Sequence, residues 1–193
     1  MAESHPIHFS GNAEADAFLG ESPLALMIGF VLDQQVTVQK AFSSPLELSK
    51  RIGGLDAKKI AAMDPQALED AFKEKPALHR FPGSMGKRTH AVAVFVTENY
   101  DGDTAKIWTT ATDGGDLYTR LRELPGYGDE KAKIFMAILA KRLGIKPTGW
   151  EKAAAPFSDD TPRSVADIDS EEAFQRVRAF KKEMKAKGKQ KTD

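Results

Sequence analysis

A chain of 193 residues, of which 41% are hydrophobic, can form one sizeable core, and we expect a single unit over residues 1–193. The absence of cysteine excludes disulfides, cysteine nucleophiles and cysteine-ligated metal or iron–sulfur sites. Because 28 basic and 28 acidic residues cancel, local charges or main-chain groups would have to hold a polyanionic partner.

The N-terminal sequence MAESHPIHFSG has neither the basic start nor the apolar stretch of a secretory signal. No apolar run approaches the roughly 18 residues that span a bilayer, so we expect a cytoplasmic protein without a membrane partner. His5 and His8 have a metal-like spacing, but no acidic or further histidine pattern accompanies them. We expect neither a metal nor another cofactor.

Hydrophobic residues recur at helical spacing over most of the chain. Ser22 and Pro23 predict the start of a long apolar helix over residues 23–42. Ser44 and Pro45, with a capping-box acid at Glu47, three residues after Ser44, predict a second helix start. Further helices are predicted over 56–63, 64–75, 85–100, 104–111, 115–124, 129–144, 151–155 and 170–188.

The segment AVAVFV, residues 91–96, has the composition of a strand. No partner strand and no two-residue hairpin turn occurs in the sequence, so we interpret this segment as helical. The predicted fold class is all-α. The last residues, KGKQKTD, are predicted to form a disordered tail.

The stretch ELPGYGDEKAKIF, residues 123–135, predicts two helices joined by a five-residue hairpin. Pro125 ends the first helix, and Gly126 and Gly128 flank Tyr127 before the second helix starts. A helix N-terminus presents main-chain N–H groups and a positive dipole end, and glycines let a phosphate approach closely. The alternative is a tight connector in which the glycines only supply positive φ.

Lys131 and Lys133 follow the hairpin, where the helix dipole would favour acids. Main-chain donors and a few lysines are a DNA-binding arrangement that suits a protein without net charge. The sequence therefore favours a phosphate-binding hairpin.

The hairpin LPGYG, followed by an apolar helix that contains alanine, resembles the helix-hairpin-helix of the HhH-GPD superfamily of base-excision DNA glycosylases. The segment IGFVLDQQVTVQKAF, residues 28–42, is similar to the Gln-Gln segment of alkylation-repair members. The resemblance implies a monomeric all-α protein with two helical lobes and a cleft for double-stranded DNA that carries a lesion. It also implies a hairpin motif over residues 116–143, with a C-terminal helix and basic tail over 170–193.

Two positions depart from this family. Glu130 occupies the position of the nucleophilic lysine in members that also cut the strand, so any excision is expected to be monofunctional. The family's aspartate corresponds to residues 147–150, where this chain has none, and Glu151 is the nearest carboxylate.

Breaking an N-glycosidic bond builds positive charge on the sugar, which a desolvated carboxylate can stabilise. The catalytic candidates are Glu151, Asp33 and Glu130. Asp33 stands within a sequence that is otherwise apolar, a costly position unless the side chain is paired or functional. Each of the three can also be an ordinary surface or helix-capping acid.

Further candidate DNA contacts follow from the resemblance and from charge. Gln34 and Gln35 resemble family residues that fill the gap left by a flipped base, and core-edge glutamines are the alternative. Lys87 and Arg88, in the segment HRFPGSMGKRTH with His79, suggest a second phosphate clamp or a solvated helix start.

The sequence leaves three functions open. The first is a DNA glycosylase that removes a damaged base, with a preference for alkylated purines suggested by the glutamine pair. The second is a noncatalytic family member that binds damaged or distorted DNA. The third is a helical module that uses the hairpin to bind a protein.

Overall fold

The computed structural model describes residues 7–193, and the regular secondary structure in this range is entirely helical. The α-helices are, in chain order, α1 (Ala13–Glu21), α2 (Pro23–Leu32), α3 (Val38–Ile52), α4 (Ala57–Ala62), α5 (Pro65–Lys73), α6 (Pro82–Tyr100), α7 (Lys106–Thr109), α8 (Gly114–Glu123), α9 (Asp129–Leu143), α10 (Trp150–Ala154) and α11 (Glu171–Ala186). A 3-10 turn covers Val165–Asp167. The predicted all-α class is confirmed.

The chain forms two compact units. Unit I consists of Ser10–Thr109 with Leu124–Gly126 and contains α1 to α7. Unit II consists of residues 7–9, Thr110–Glu123 and Tyr127–Asp193, and it contains α8 to α11. Two units agree with the two lobes that the family resemblance implies.

The core of unit I is built around α2, whose residues from Leu24 to Leu32 are all buried. It packs against α1, α3 and α6. A Cβ at Gly29 would lie only 2.7 Å from the Phe42 ring, so α2 and α3 approach closely through this glycine. Within residues 7–193, no single helix is long and apolar enough to cross a membrane, and α1 with α2 passes only as a pair bent by 117°.

The predicted helix over residues 23–42 is wrong, because α2 ends at Leu32 and α3 starts only at Val38. The cap of α3 is Thr37, whose side chain accepts from the N–H of Lys40 at 3.2 Å. The predicted start at Ser44 and Pro45 is therefore also wrong, since both lie inside α3. Pro45 lacks only one helix N–H, and the buried face of α3 continues past it.

Other predicted helix starts are confirmed. Ser22, Asp56, Asp64 and Ser170 each accept a hydrogen bond from a main-chain N–H in the first turn of the following helix. The segment AVAVFV lies in α6, as predicted, although α6 begins at Pro82, three residues before the predicted start. The helix predicted over 104–111 is limited to the four residues of α7.

The core of unit II is built around α9, which packs against α8, α10 and the 3-10 turn. Gly144 ends α9 in the left-handed conformation at φ +69°, as expected for a glycine after a helix. A Cβ at Gly114 would lie 2.6 Å from the main-chain nitrogen of Trp150, so this glycine allows α8 to approach α10.

The prediction of a disordered tail is wrong, because the last residues fold back onto unit II. The Arg163 guanidinium donates to the carbonyl oxygens of Lys191 at 2.7 Å and Asp193 at 3.0 Å. The Lys191 ammonium lies 5.9 Å from the centre of the Phe157 ring. Arg163 thus holds the tail through the tail's own main-chain carbonyl groups, although the side-chain composition of the tail suggests disorder.

Candidate nucleic-acid interface

The hairpin has the predicted length, since α8 ends at Glu123 and α9 begins at Asp129. Its two glycines differ in what the fold requires. Gly126 has φ +82°, a left-handed conformation that favours glycine. Gly128 has φ −78° and ψ −176°, an extended conformation open to any residue. Among the described residues, no atom lies within 4 Å of a Cβ built at Gly128, so the folded chain would accept a side chain there.

Gly128 is also the N-cap of α9, and it supplies no capping side chain. By contrast, α1 to α5 and α11 each begin with a side chain that accepts a main-chain N–H. The first turn of α9 thus combines open space at its N-cap glycine with the positive end of a 15-residue helix. This combination suits an anionic group approaching from solvent.

Asp129, in the first turn of α9, is surrounded by positive charge and a hydroxyl donor. The Tyr118 hydroxyl donates to its carboxylate, and the Lys133 ammonium lies 3.1 Å away. Arg122 donates to the Tyr118 hydroxyl at 3.0 Å and lies 3.7 Å from Asp129. The Tyr118 hydrogen bond and the Lys133 ion pair hold the pKa of the Asp129 carboxyl below its usual value. The carboxylate is therefore compensated by local cations.

Both predicted lysine contacts lie on α9. Lys133 is paired with Asp129, and its side chain is 27% exposed. Lys131 is half-buried.

Tyr127 is buried in unit II. Its ring meets the Phe135 ring edge-on, with 5.8 Å between the centroids. Burial raises the pKa of the Tyr127 hydroxyl well above its usual value. The side chain therefore anchors the hairpin, and any contact between Tyr127 and DNA would use its main chain.

The glutamine pair lies in the loop between α2 and α3 rather than in a helix. Gln34 donates from Nε2 to the Val31 carbonyl at 2.7 Å, and its Oε1 accepts from Arg88 at 3.0 Å. Gln35 is exposed and has φ +56°, an uncommon conformation for a residue other than glycine. Gln34 is thus fixed by the fold, whereas Gln35 is presented to solvent.

A buried histidine holds this loop. The Phe81 main chain donates to His79 Nδ1 at 3.0 Å, so the ring carries its proton on Nε2. Nε2 lies 3.1 Å from the Leu32 carbonyl oxygen and 2.9 Å from that of Gln34. The proposed role of His79 in a phosphate clamp is wrong, because its ring is buried and engaged by these main-chain groups.

The start of α6 carries the second predicted basic cluster. Arg88 is exposed and bonded to Gln34, whereas exposed Lys87 lies 3.9 Å from the Glu69 carboxylate. Phe81, the N-cap of α6, is 42% exposed, and the Arg80 guanidinium lies 5.4 Å from its ring centre. The structure thus brings Gln34 and Arg88 together in unit I and adds an exposed aromatic ring at the same helix start.

None of the three catalytic candidates is fully buried. Glu151 is exposed in the first turn of α10, and Glu130 is exposed and lies 2.6 Å from the Lys191 ammonium. Asp33 is half-buried and forms the C-cap of α2, so its predicted position inside a helix is wrong. The segment 147–150, which the resemblance aligns with the family's aspartate, packs on α8 through the Thr148 carbonyl, which accepts from the Gly114 N–H at 2.8 Å.

Sequence reasoning missed Tyr118, Phe81 and Lys191. Phe81 carried one signal, because an apolar residue stands directly before Pro-Gly where a capping side chain would be expected. Tyr118 and Lys191 gave no local signal, since the carboxylates that they contact, Asp129 and Glu130, belong to α9. His5 lies outside the described residues, and His8 lies 4.0 Å from Glu171.

The sequence model of the HhH-GPD superfamily base excision DNA repair protein matches residues 28–192. This range includes the loop between α2 and α3 with Gln34 and Gln35 (the glutamine loop), the hairpin and Lys191. Proteins of this family act on DNA. No curated protein and no solved structure matches the chain significantly. Because the matched range covers most of the sequence, the chain belongs to the HhH-GPD superfamily of base excision DNA repair proteins.

Proposed function

We propose that the protein binds double-stranded DNA at a damaged base and hydrolyses the N-glycosidic bond without cutting the strand. Membership of the HhH-GPD superfamily implies base excision DNA repair. The hairpin at the start of α9 would bind a backbone phosphate, and the loop with Gln35 would face the site of the extruded base.

The proposed DNA binding rests on the open space and the extended backbone at Gly128. The backbone conformation does not require glycine there, and the fold leaves the space beside its Cα open. A phosphate that approaches the N-terminus of α9 within hydrogen-bond distance would use this space. Gly126 does not distinguish the two interpretations, because its positive φ favours glycine whether or not DNA binds.

Gly128→Val tests this proposal. We expect the variant to fold with nearly unchanged Tm and to bind duplex DNA at least about tenfold more weakly, because the side chain excludes the phosphate. Gly20→Val is the matched control, since Gly20 also has open space around it but lies in α1. A folded Gly128→Val protein with the affinity of the wild type would contradict the proposal.

The catalytic part rests on the family and on the residue at position 130. A carboxylate cannot form a Schiff base with the sugar, so excision would leave an abasic site and an intact strand. The test is a glycosylase assay on duplexes with different damaged bases, starting with alkylated purines. Strand breaks are expected only after heat or alkali.

A second candidate function is a noncatalytic protein that binds damaged DNA. It is favoured by the environment of the candidate carboxylates, since a carboxylate that stabilises positive charge on a sugar works best when desolvated. Glu151 and Glu130 are exposed, and Glu130 is paired with Lys191. Binding to a lesion-bearing duplex without release of any base from the tested panel would favour this function.

The variants Glu151→Gln and Asp33→Asn separate catalysis from binding. If one of these carboxylates takes part, its amide variant should lose about 10²-fold or more in rate while DNA affinity is retained. If both variants keep the wild-type rate, neither carboxylate is the catalytic group.

A further inference from the structure

The last helix of unit II, α11, and the tail that follows it are strongly basic. Residues 176–191 contain eight lysines and arginines and a single acid, Glu183. Seven of these eight bases are exposed, and the eighth, Lys191, is half-buried. The apolar side of α11 is buried and packs on the 3-10 turn of unit II. The bases therefore form an outer surface of this unit.

Ion pairs make one side of α11 neutral. Arg176 pairs with the Glu172 carboxylate at 3.3 Å, and Lys187 pairs in the same way with Glu183, again four residues earlier. A helix turns by about 100° per residue, so these two pairs lie on the same side of α11. This side carries no net charge.

Another side of α11 carries bases without acids. Arg178, Lys182 and Lys185 follow the spacing i, i+4 and i+7, which places them in one row along the helix, here called the basic row. Within residues 7–193, the side chains of Lys182, Lys185 and Lys189 have no ion-pair or hydrogen-bond partner, and the Arg178 guanidinium has no acid partner but lies 5.8 Å from the centre of the Phe174 ring. The charge of this side is therefore uncompensated.

The basic row is unfavourable for α11 itself. Like charges three or four residues apart on a helix repel each other. The helix dipole favours bases in the last turn, which accounts for Lys185 but not for Arg178 and Lys182. An anionic partner would offset this repulsion.

The tail connects the basic row to the hairpin. Lys191 lies 2.6 Å from the Glu130 carboxylate, which belongs to the first turn of α9. Two residues span at most about 7 Å, so exposed Lys189 lies close to Lys191 along the chain. The uncompensated bases thus continue from α11 to the proposed phosphate site at Gly128.

We propose that the basic row and Lys189 bind the phosphate backbone of duplex DNA beside the lesion, as a sequence-independent extension of the hairpin site. This inference rests on the DNA binding proposed above. The row from Arg178 to Lys185 extends over about 10 Å, because a helix rises about 1.5 Å per residue. This length equals the rise of roughly three base pairs, so the row can follow several phosphates of a strand.

The surroundings of the row favour a duplex over two other polyanions. A helix that enters an anionic membrane surface needs an exposed apolar face, and the apolar face of α11 is buried in unit II. Single-stranded nucleic acid is bound largely by exposed aromatic rings, whereas Phe174 is buried and Phe180 is half-buried. Backbone phosphates of a duplex require charge alone.

The test compares two variants that each remove two positive charges from α11. Lys182→Gln/Lys185→Gln, the row variant, removes unpaired bases, and Arg176→Gln/Lys187→Gln, the paired variant, removes bases of the neutral side. Fluorescence anisotropy with an undamaged and a lesion-bearing duplex, between about 50 and 200 mM sodium chloride, measures the association constant and its salt dependence.

The row variant should bind both duplexes at least about tenfold more weakly at about 50 mM salt. The slope of log K against log salt concentration should become shallower by about two units, because two phosphate contacts are lost. The ratio of the affinities for the two duplexes should stay that of the wild type, since the row does not contact the lesion. The paired variant should keep the wild-type slope. Equal effects of the two variants would show that net charge alone acts and would overturn the proposal.

Gly128→Val in the same titrations separates this inference from the proposed function. If Gly128→Val weakens binding and the row variant binds like the wild type, the hairpin site stands and the role of the basic row is overturned. If the wild type binds neither duplex, both proposals are overturned. Tighter binding of the wild type to a single strand of the same length, lost in the row variant, would also overturn the assignment of the row to a duplex.

Discussion

The Lys191 ammonium lies 2.6 Å from the carboxylate of Glu130, which brings the C-terminal tail to the first turn of α9. Arg163 fixes the tail by donating to two of its carbonyl oxygens, one of them from Lys191 itself. Glu130 is one of two acids in that turn, and the other, Asp129, is paired with Lys133. Both acids next to the hairpin are thus compensated by lysines.

Lys191→Met should weaken DNA binding, although the substituted residue lies far from the hairpin in sequence. Without Lys191, the carboxylate of Glu130 is uncompensated beside the proposed phosphate site and repels the DNA backbone. We expect a threefold to tenfold loss of affinity, roughly 1 kcal/mol, in fluorescence-anisotropy titrations at low salt. The thermal stability should change little, because the pair is partly exposed.

The double variant Glu130→Gln/Lys191→Met distinguishes compensation from direct contact. If Lys191 acts by neutralising Glu130, the double variant should recover most of the wild-type affinity. If Lys191 itself binds phosphate, the affinity should stay low. Lys187→Met is the matched control, since Lys187 pairs with Glu183 four residues earlier in the same segment.

Gln35→Ala should reduce the discrimination between damaged and undamaged DNA, because the exposed side chain on a strained backbone is placed to fill the gap left by a flipped base. The measurement is the ratio of dissociation constants for two duplexes that differ only in the lesion. We expect this ratio to fall by about tenfold while binding to undamaged DNA changes little.

Gln34→Ala is the informative comparison for Gln35. Gln34 bonds to Val31 and Arg88, so its loss should lower the Tm and affect both duplexes alike. A variant of Gln35 that lost affinity equally for both duplexes would indicate a simple contact rather than a role in base flipping.

The helices could be predicted where the signals were local. Ser22, Asp56 and Ser170 mark helix starts by their own capping side chains, and the five-residue hairpin follows from Pro125 and its glycines. The start of α3 could not be predicted correctly, because Ser44 and Pro45 form a typical helix-start sequence but lie inside the helix. Thr37 and the continuous buried face of α3 determine that helix instead.

The conformation and burial of the site residues depend on contacts between distant segments, which the sequence does not reveal. The ordered tail is one example, since Arg163 holds a segment whose composition is typical of disorder. The glutamine loop is another, because its conformation depends on His79, more than forty residues away. Tyr127 was correctly placed in the hairpin, but only the structure shows that its ring packs inward against Phe135.

Raising the pH should destabilise the protein through Tyr127. Burial raises the pKa of its hydroxyl above the value of about 10 expected in the unfolded chain. This contribution to stability is fully present below about pH 10 and is lost as the pH rises through the folded-state pKa, because the unfolded state releases the proton first. Urea unfolding of the wild type and Tyr127→Phe at about pH 8, 10 and 11 measures the effect.

Above about pH 10, the wild type should lose up to about 1.4 kcal/mol of unfolding free energy per pH unit relative to Tyr127→Phe. Both proteins contain the same other titrating groups, so their difference isolates Tyr127. Parallel pH profiles of the two proteins would show that the Tyr127 hydroxyl reaches solvent in the native state.

Excision should proceed without a covalent intermediate between protein and DNA. The family resemblance aligns Glu130 with the amine of strand-cutting members, and a Schiff base requires an amine in near-contact geometry with the sugar. Treatment of the reaction with borohydride should therefore trap little protein on the DNA, and the product strand should stay intact until heat or alkali is applied.

Lys191 pairs with Glu130, and Lys131 follows it directly in the sequence, so the alanine variants of these two lysines test whether either replaces the missing amine. The Lys191 ammonium is engaged by the Glu130 carboxylate at 2.6 Å, so it is not free to approach a sugar. Lys131 is one residue further along α9 and points about 100° away from position 130. We expect neither variant to change the small amount of trapped product. Efficient trapping that disappears in Lys191→Ala or in Lys131→Ala would identify that lysine as a displaced nucleophile and make the protein a lyase.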